Sequence, residues 1–444
     1  MAVTSRGAST YRAGLVDSAA ASRGAAARRG GRLPAGRAVA RLLERPLTTY
    51  YLIIIPAVLL LAVGLGEVLS ASSVISYAQG SGSYSVFVRQ ALWAGLGLVA
   101  AVVAARVPPR VLRGASWPLL LGAVTLLALT YTALGWSVNG NRNWLRLGGL
   151  QLQPSEMAKP ALILWGASVI ATKERLLHSW RHLLLPFIPG CLLVLALVLG
   201  QGDAGTGLVF MTAILGMLFL VGVPRWFFGV GAVAIAAGVA GLVAARPSRM
   251  QRVLTFTDPF AHPDGSGYQA VHSIYALSTG GWWGVGLGAS REKWGLLPEA
   301  NSDFIFAIIG EELGFIGALV VLGLFALLGY AGLRIAARAD TLFIRLAAGG
   351  ITIWLVAQLI VNVGAALALL PIAGVPLPLV SAGGSSLLTT LAAVGVLAGF
   401  ARREPGARLY LQARRARRAR RAREKAAERR REKQADRTGS AGGE

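Results

Sequence analysis

Long apolar runs broken by short polar turns set the pattern of this chain. Ten runs are predicted as helices able to cross a hydrocarbon slab, a span that takes roughly twenty residues. They are 50–69, 87–105, 117–134, 157–172, 183–200, 205–223, 227–245, 304–333, 346–370 and 385–401. The fourth and the last are the shortest. The expected fold class is all-α, a polytopic membrane protein with about ten transmembrane helices and disordered basic termini. One polar interval stands out by length, residues 247–302, and loops of more than about fifteen residues are usually functional or disordered. Its Phe256, Tyr268, Tyr275, Trp282 and Trp283 argue against disorder and predict short helices lying on the outer membrane surface.

Composition agrees. Of 444 residues, 55% are hydrophobic and only 14% charged, with a mean hydropathy of +0.58, whereas soluble proteins carry roughly a quarter charged residues. The single cysteine, Cys191, excludes an intrachain disulfide and reads as a small buried hydrophobe.

The net charge of +24 suggests nucleic acid until it is located. Residues 1–49 contribute +7 and residues 402–444 contribute +10. These flanks are rich in Arg, Ala and Gly and poor in large apolar side chains, so neither is expected to pack a core. Basic clusters beside a membrane are attracted to anionic lipids, and no nucleic-acid recognition module accompanies them. The expected organisation is a basic arm (1–46), a membrane domain (47–404, with an extracellular loop at 247–302) and a basic tail (405–444), which could turn helical on an anionic surface. Cations recur in alternate connections: Arg106, Arg110 and Arg113; Lys173, Arg175 and Arg181; Arg225; Arg334, Arg338 and Arg345. By the positive-inside rule both termini are cytoplasmic.

Four segments on the opposite side are polar in a patterned way. Asn139-Gly140-Asn141-Arg142-Asn143-Trp144 leads to Gln153-Pro154-Ser155-Glu156-Met157-Ala158-Lys159, where Glu156 and Lys159 share a helix face and can pair. Gln201-Gly202-Asp203 is a tight turn with Asp203 as a helix cap. Leu297-Pro298-Glu299-Ala300-Asn301-Ser302-Asp303 opens the eighth run, with Glu311 and Glu312 about two turns inside it. Acids within hydrocarbon are costly and mark function by default. Capping would account for one of the Asn-Ser-Asp series but not for the two glutamates. Pro376-Leu377-Pro378-Leu379-Val380-Ser381-Ala382-Gly383-Gly384 opens the tenth run, and such backbone is tolerated at membrane depth only when it is buried in protein or lines a cavity.

Several chemistries are disfavoured. No Lys precedes Ser or Thr, so there is no Walker A loop. His178 and His182 have ligand spacing but no acidic or Cys partners. His262 and His272 read as solitary loop residues, and Gln358 with Asn362 as interhelical hydrogen-bonding groups.

The segments at 139–144, 153–159, 297–317 and 376–386 resemble, in order and spacing, those of the SEDS (shape, elongation, division and sporulation) family, which includes FtsW and RodA. The similarity covers roughly 47–404. Gly267-Tyr268-Gln269, Gly280-Gly281-Trp282-Trp283-Gly284 and Arg402-Arg403-Glu404-Pro405 resemble the division-associated FtsW branch of high-GC actinobacteria. Departures are Ala382 for the usual Tyr, Asn301-Ser302 for His-Thr, and His272 for Gln.

The resemblance implies a peptidoglycan glycosyltransferase that polymerises lipid II outside the cell membrane by inverting transfer, at the division septum. The implied partners are a class B penicillin-binding protein (the transpeptidase) and other divisome membrane proteins. Anionic lipids are expected at the basic tails, and no nucleic acid. Asp303 corresponds to the catalytic aspartate and is read as the general base. Arg142 and Lys159 are candidates for the departing diphosphate, with Arg249 and Arg252 behind them. Glu156 orients Lys159, while Glu299 and Ser381 complete the candidate substrate-binding set. No metal-binding constellation is visible, and a divalent cation (Mg or Mn) is left open. The alternatives are a lipid II flippase or other transporter, a RodA-like elongation paralogue, and a catalytically idle scaffold. A transporter gathers its polar residues near the midplane, whereas here they collect at one mouth.

Overall fold

The computed structural model describes residues 45–78, 84–138, 140–147, 150–174, 180–244, 256, 258–265 and 267–440. The chain divides into two units, Met1–Thr48 and Thr49–Glu444. Of the first only residues 45–48 are described, so the architecture below is that of the second.

Among the described residues seven helices are long and apolar enough to cross a membrane. They are α1 (Thr48–Ala78), α2 (Ser85–Arg106), α3 (Pro109–Leu129), α6 (Ala204–Val221), α9 (Ile305–Arg338), α10 (Leu342–Ala366) and α11 (Gly384–Ala401). Shorter apolar stretches lie in α5 (Trp180–Gly200) and α7 (Arg225–Ala244), and α4 (Pro154–Thr172) is buried along most of its length. Each of the ten expected runs overlaps one of these helices, with ends that differ by several residues in places. This is an all-α, multi-pass membrane protein.

The helices differ in depth. In α10 and α11, 83% of the apolar window is buried, against 17% in α2. So α10 and α11 form the centre, with α10 packed on α9, α6 and α4, and α2 lies at the periphery against α11. Small residues allow that last contact: a Cβ on Gly395 would come within 2.2 Å of the Ala101 carbonyl oxygen. Without a hydrophobic force between helices in lipid, such close backbone approach is what drives association.

Two features depart from a plain helix count. Between α3 and α4 lies a three-stranded antiparallel sheet, β1 (Gly135–Val138), β2 (Asn141–Leu147) and β3 (Leu150–Leu152). Gly135 pairs with Leu145, and Leu145 with Leu152. The third helix accordingly stops at Leu129, short of its expected end, because residues 135 onward alternate rather than follow a helical period. The second departure is a break inside α9 at Gly314, whose φ of 70° and ψ of −171° are available only to glycine. The preceding loop fills the break. Val285 N–H donates to the Glu311 carbonyl (2.9 Å), and Phe315 N–H to the Gly281 carbonyl (2.8 Å), so the freed helix groups stay satisfied.

In the long loop a short 3-10 turn (Pro259–Ala261) and α8 (Tyr268–Gly280) appear. Arg249 and Arg252 lie outside the described residues, as do His178 and the arm 1–44. Cys191 is buried and free.

The C-terminal tail differs from the expected disorder: α12 (Pro405–Ser440) is one helix of 36 residues. Arg and Ala are among the best helix formers. Arg420 and Glu424, one turn apart, pair at 2.8 Å. Its root is anchored by Ala407, only 1% exposed.

Candidate active site

Four elements meet at the end of the bundle where α9, α11, α4 and α6 begin. The turn before α9 carries Asp303, and the 376–383 segment presses on it from α11. Ser381 Oγ donates to the Ser302 carbonyl (2.6 Å) and accepts from Leu377 N–H (2.8 Å), while Ala382 N–H donates to the Asn301 carbonyl (2.9 Å). Asn362, near the end of α10, clamps the same place, its Nδ2 donating to the Asp303 and Val375 carbonyls, each at 2.8 Å. Rather than the expected helix-to-helix bond, Asn362 ties α10 to the backbone of two non-helical segments, the 303 turn and the 375 loop. Ser381 is buried, and its hydroxyl is committed to the backbone on both sides.

The Asp303 carboxylate is left free of all this. The N-cap of α9 is Phe304, with no side-chain cap. Among the described residues nothing donates to the Asp303 carboxylate, although Asn362 donates to its backbone carbonyl. It lies in a small recess with Asn362, Ile372 and Gly374. Burial, then the like charges of Glu299 and Asp203, push its pKa up to about 7. A helix cap would be held by backbone N–H groups and would stay ionised; Asp303 is poised to exchange a proton.

Asp203 does cap α6: its Oδ1 accepts from Thr206 N–H at 2.9 Å. Its other oxygen accepts from Asn143 Nδ2 (3.1 Å) and Gln153 Nε2 (3.3 Å), tying the β-sheet and the α4 entrance to the α6 turn. Gly205 lets the loop after α10 reach the same turn, since a Cβ there would lie 2.0 Å from the Ala373 carbonyl oxygen. Asp203 is thus both a cap and the second carboxylate of the site.

Arg142 sits on β2 beside this turn. Its backbone N–H donates to the Gln201 carbonyl (3.1 Å), and its exposed guanidinium to the Thr132 carbonyl (2.6 Å). No carboxylate pairs with it among the described residues. Lys159 is placed differently. It pairs with Glu156 at 2.6 Å, both buried, and its ammonium lies 5.9 Å from the Trp354 ring centre. The expected i,i+3 pair is present, inside the helix packing rather than open at the mouth. Glu299 is exposed, with a φ of 57°, and accepts from Ser302 Oγ at 2.6 Å. Among the described residues no three His, Cys, Asp or Glu side chains converge as metal ligands.

Glu311 and Glu312 belong to a separate cluster. Glu312 pairs with Lys293 at 2.9 Å and accepts from Ser70 Oγ (2.7 Å) and Gly288 N–H (2.8 Å). Glu311 accepts from Arg291 N–H (2.8 Å) and from the Ser290 hydroxyl. Glu67 of α1, 1% exposed, has Glu312 and Lys293 as charged neighbours. His272 is not solitary: its Nδ1 lies 2.7 Å from Glu292, and its ring is against Tyr268. Lys293 and Glu292 are not among the expected site residues, because their partners Glu312 and His272 stand 19 and 20 residues away and no local pattern marks the pairs.

The family model for cell cycle proteins of the FtsW, RodA and SpoVE type matches residues 50–405. The chain belongs to this family. A probable peptidoglycan glycosyltransferase FtsW of Mycobacterium tuberculosis is 38% identical over 372 residues, 84% of this chain and 71% of that protein. One from Marinobacter nauticus is 42% identical over 353 residues, 78% and 88% respectively. Stage V sporulation protein E of Bacillus subtilis is 37% identical over 355 residues, 79% and 96%. Among solved structures, a chain from a peptidoglycan synthase complex described as coordinating polymerization and crosslinking superposes with a TM-score of 0.64. It shares 30% identity and covers 80% of this chain and 97% of its own. The rod shape determining protein RodA of Thermus thermophilus superposes at 0.58 with 27% identity, covering 80% and 97%.

Proposed function

We propose that this chain is a peptidoglycan glycosyltransferase that polymerises lipid II. Asp303 is the general base. The observation that carries the assignment is a carboxylate that caps no helix and has no hydrogen-bond donor among the described residues, its pKa raised to about 7, close to the pH at which base catalysis works best. The acceptor hydroxyl loses its proton to the Asp303 carboxylate as its oxygen bonds the anomeric carbon of the donor. The carbon–oxygen bond to the lipid diphosphate breaks on the opposite face, so the configuration inverts. Such a base contributes on the order of 10²–10⁴ in rate.

Arg142 is the first candidate for the diphosphate, being paired with no carboxylate among the described residues and lying beside the Gln201–Asp203 turn. Lys159 is the second. Opening a buried pair costs about 3–5 kcal/mol, so Lys159 turns to the diphosphate only if those oxygens replace Glu156. Ser381 and Asn362 act by positioning the Asp303 turn. Glu299 acts through the electrostatics of Asp303.

The division reading, with a class B penicillin-binding protein as transpeptidase partner, is supported by the FtsW names of the relatives and by the similarity to a synthase-complex chain. The charge pattern supports an orientation with the Asp303 end outside, the basic arm and tail in the cytoplasm, and residues 47–404 as the membrane domain. Purified chain with its partner, supplied with lipid II, should yield glycan strands. Folded wild-type complex that makes none would overturn the reading.

A further inference from the structure

At the end of α11 opposite Asp303 lies a cleft of about 340 Å³, lined by Arg106, Arg402, Arg403, Arg408, Leu411 and Gln412 among others. Its four arginines come from three elements: the end of α2, the end of α11 and the first turn of α12. α11 has 18 residues, which puts the cleft about 27 Å from the Asp303 turn.

Among the described residues no carboxylate pairs with any of the four. Glu404, next to Arg403 in sequence, is turned elsewhere: it accepts from the Thr49 hydroxyl at 3.1 Å, with Arg334 and Arg338 as its charged neighbours. Arg403 donates to the Gly399 and Arg106 carbonyls, each at 3.3 Å, and Arg402 lies 5.9 Å from the Tyr50 ring centre. Cations at helix C-termini gain from the helix dipole, which accounts for one or two of them. It does not account for four around a cleft. Burial, and then the neighbouring Arg402 charge, hold the Arg403 pKa down.

The apolar surroundings identify the anion. Arg106 ends α2, the least buried of the seven spanning helices, and one to two turns before it Val99, Val102 and Val103 are 63%, 49% and 56% exposed. An acyl chain laid on those valines leads to the cleft. Basic pockets between helices at a membrane face are headgroup sites. We propose that this cleft binds the phosphate of an anionic phospholipid, its chains running along α2. The orientation under Proposed function makes that leaflet the cytoplasmic one; the binding itself rests only on the cleft.

The test is native mass spectrometry of the full chain in detergent, titrated with phosphatidylglycerol and with phosphatidylcholine. The variants are Arg402→Gln/Arg403→Gln and, as a control of equal charge loss, Arg417→Gln/Arg418→Gln on the exposed tail. Wild type and the tail control should retain phosphatidylglycerol, and the cleft variant should bind it at least about tenfold more weakly. Arg402→Lys/Arg403→Lys should keep most of the binding, which separates lost charge from lost fold. Equal loss in both Gln pairs, or equal retention of phosphatidylcholine, would mean no headgroup site. Full competition by millimolar pyrophosphate would mean a soluble-anion site, and would overturn the lipid assignment. No outcome touches the polymerisation assay, so the two proposals fail separately.

Discussion

Two acidic positions stand within a few turns of each other where α9 begins, Asp303 and Glu312, and the fold handles them in opposite ways. Glu312 is fully buried, paired to Lys293, and held by Ser70 and backbone N–H groups. Asp303 is part-exposed, and no donor reaches its carboxylate among the described residues. One carboxylate is saturated and serves as a clamp between α1, the loop and α9. The other is held at the edge of ionisation, with two like charges beside it. An acid at membrane depth marks function by default, but satisfaction decides which function. Full hydrogen bonding makes it architecture, and its lack leaves a proton to trade.

The largest expected effect breaks the comparison at Asp303. Asp303→Asn should abolish glycan polymerisation, since the amide cannot take a proton, while the protein still folds. Stability supplies an independent check. The native state holds this proton up to about pH 7, whereas a free carboxyl loses it near 3.8. Wild-type stability therefore falls as pH rises through that window. Asp303→Asn should melt higher than wild type at pH 8, and the gain should vanish below about pH 4. A variant that still makes glycan, or melts lower at pH 8, would return Asp303 to a structural role.

The second effect is on Glu312. Glu312→Gln leaves the Lys293 ammonium buried without its counterion, which costs about 3–5 kcal/mol. A clear drop in melting temperature in detergent is expected, and the double change Lys293→Met/Glu312→Leu should recover much of it. If Glu312→Gln melted like wild type but lost activity, the clamp would have to be counted as part of the chemistry.

How much of this was legible beforehand follows from range. The apolar runs locate the helices because twenty consecutive apolar residues have few other uses. The β-hairpin was missed although Asn139-Gly140 between Trp136/Val138 and Trp144 is a strong short-range signal; its polar residues drew the reading toward a loop. The C-terminal helix was obscured by its charge, which argues for disorder by composition while Arg and Ala argue for helix by propensity. Asp303, Arg142, Glu156 and Lys159 stood out because each lies in a motif. Lys293 with Glu312, and His272 with Glu292, are joined through a loop that folds back across the Gly314 break, and nothing local announces such pairs.

A smaller effect is expected at Ser381. Its hydroxyl satisfies Leu377 N–H and reaches the Ser302 carbonyl, so Ser381→Ala strands a buried donor at about 1–3 kcal/mol. Turnover should fall through a loosened Asp303 turn, with little change in donor affinity. A large loss of donor affinity at unchanged stability would instead make Ser381 a substrate contact.

The finest test reads the pH profile. With Asp303 as base, polymerisation should rise with pH and level off above about 7, the value set by burial, Glu299 and Asp203. Of these causes Glu299 is the one that can be removed gently, because it is exposed and, among the described residues, its side chain bonds Ser302 alone. Glu299→Gln keeps that acceptor oxygen and deletes the negative charge, so ionising Asp303 becomes easier and the rising limb should move to lower pH. An exposed charge is screened by salt, so raising the ionic strength should move the wild-type limb the same way and the Glu299→Gln limb less. The equivalent change at Glu292, in the His272 pair, should leave the limb where it was. Should Glu299→Gln and wild type give superimposable profiles at low salt, burial alone would set the proton affinity of Asp303. The like-charge arrangement that separates it from Glu312 would then be incidental.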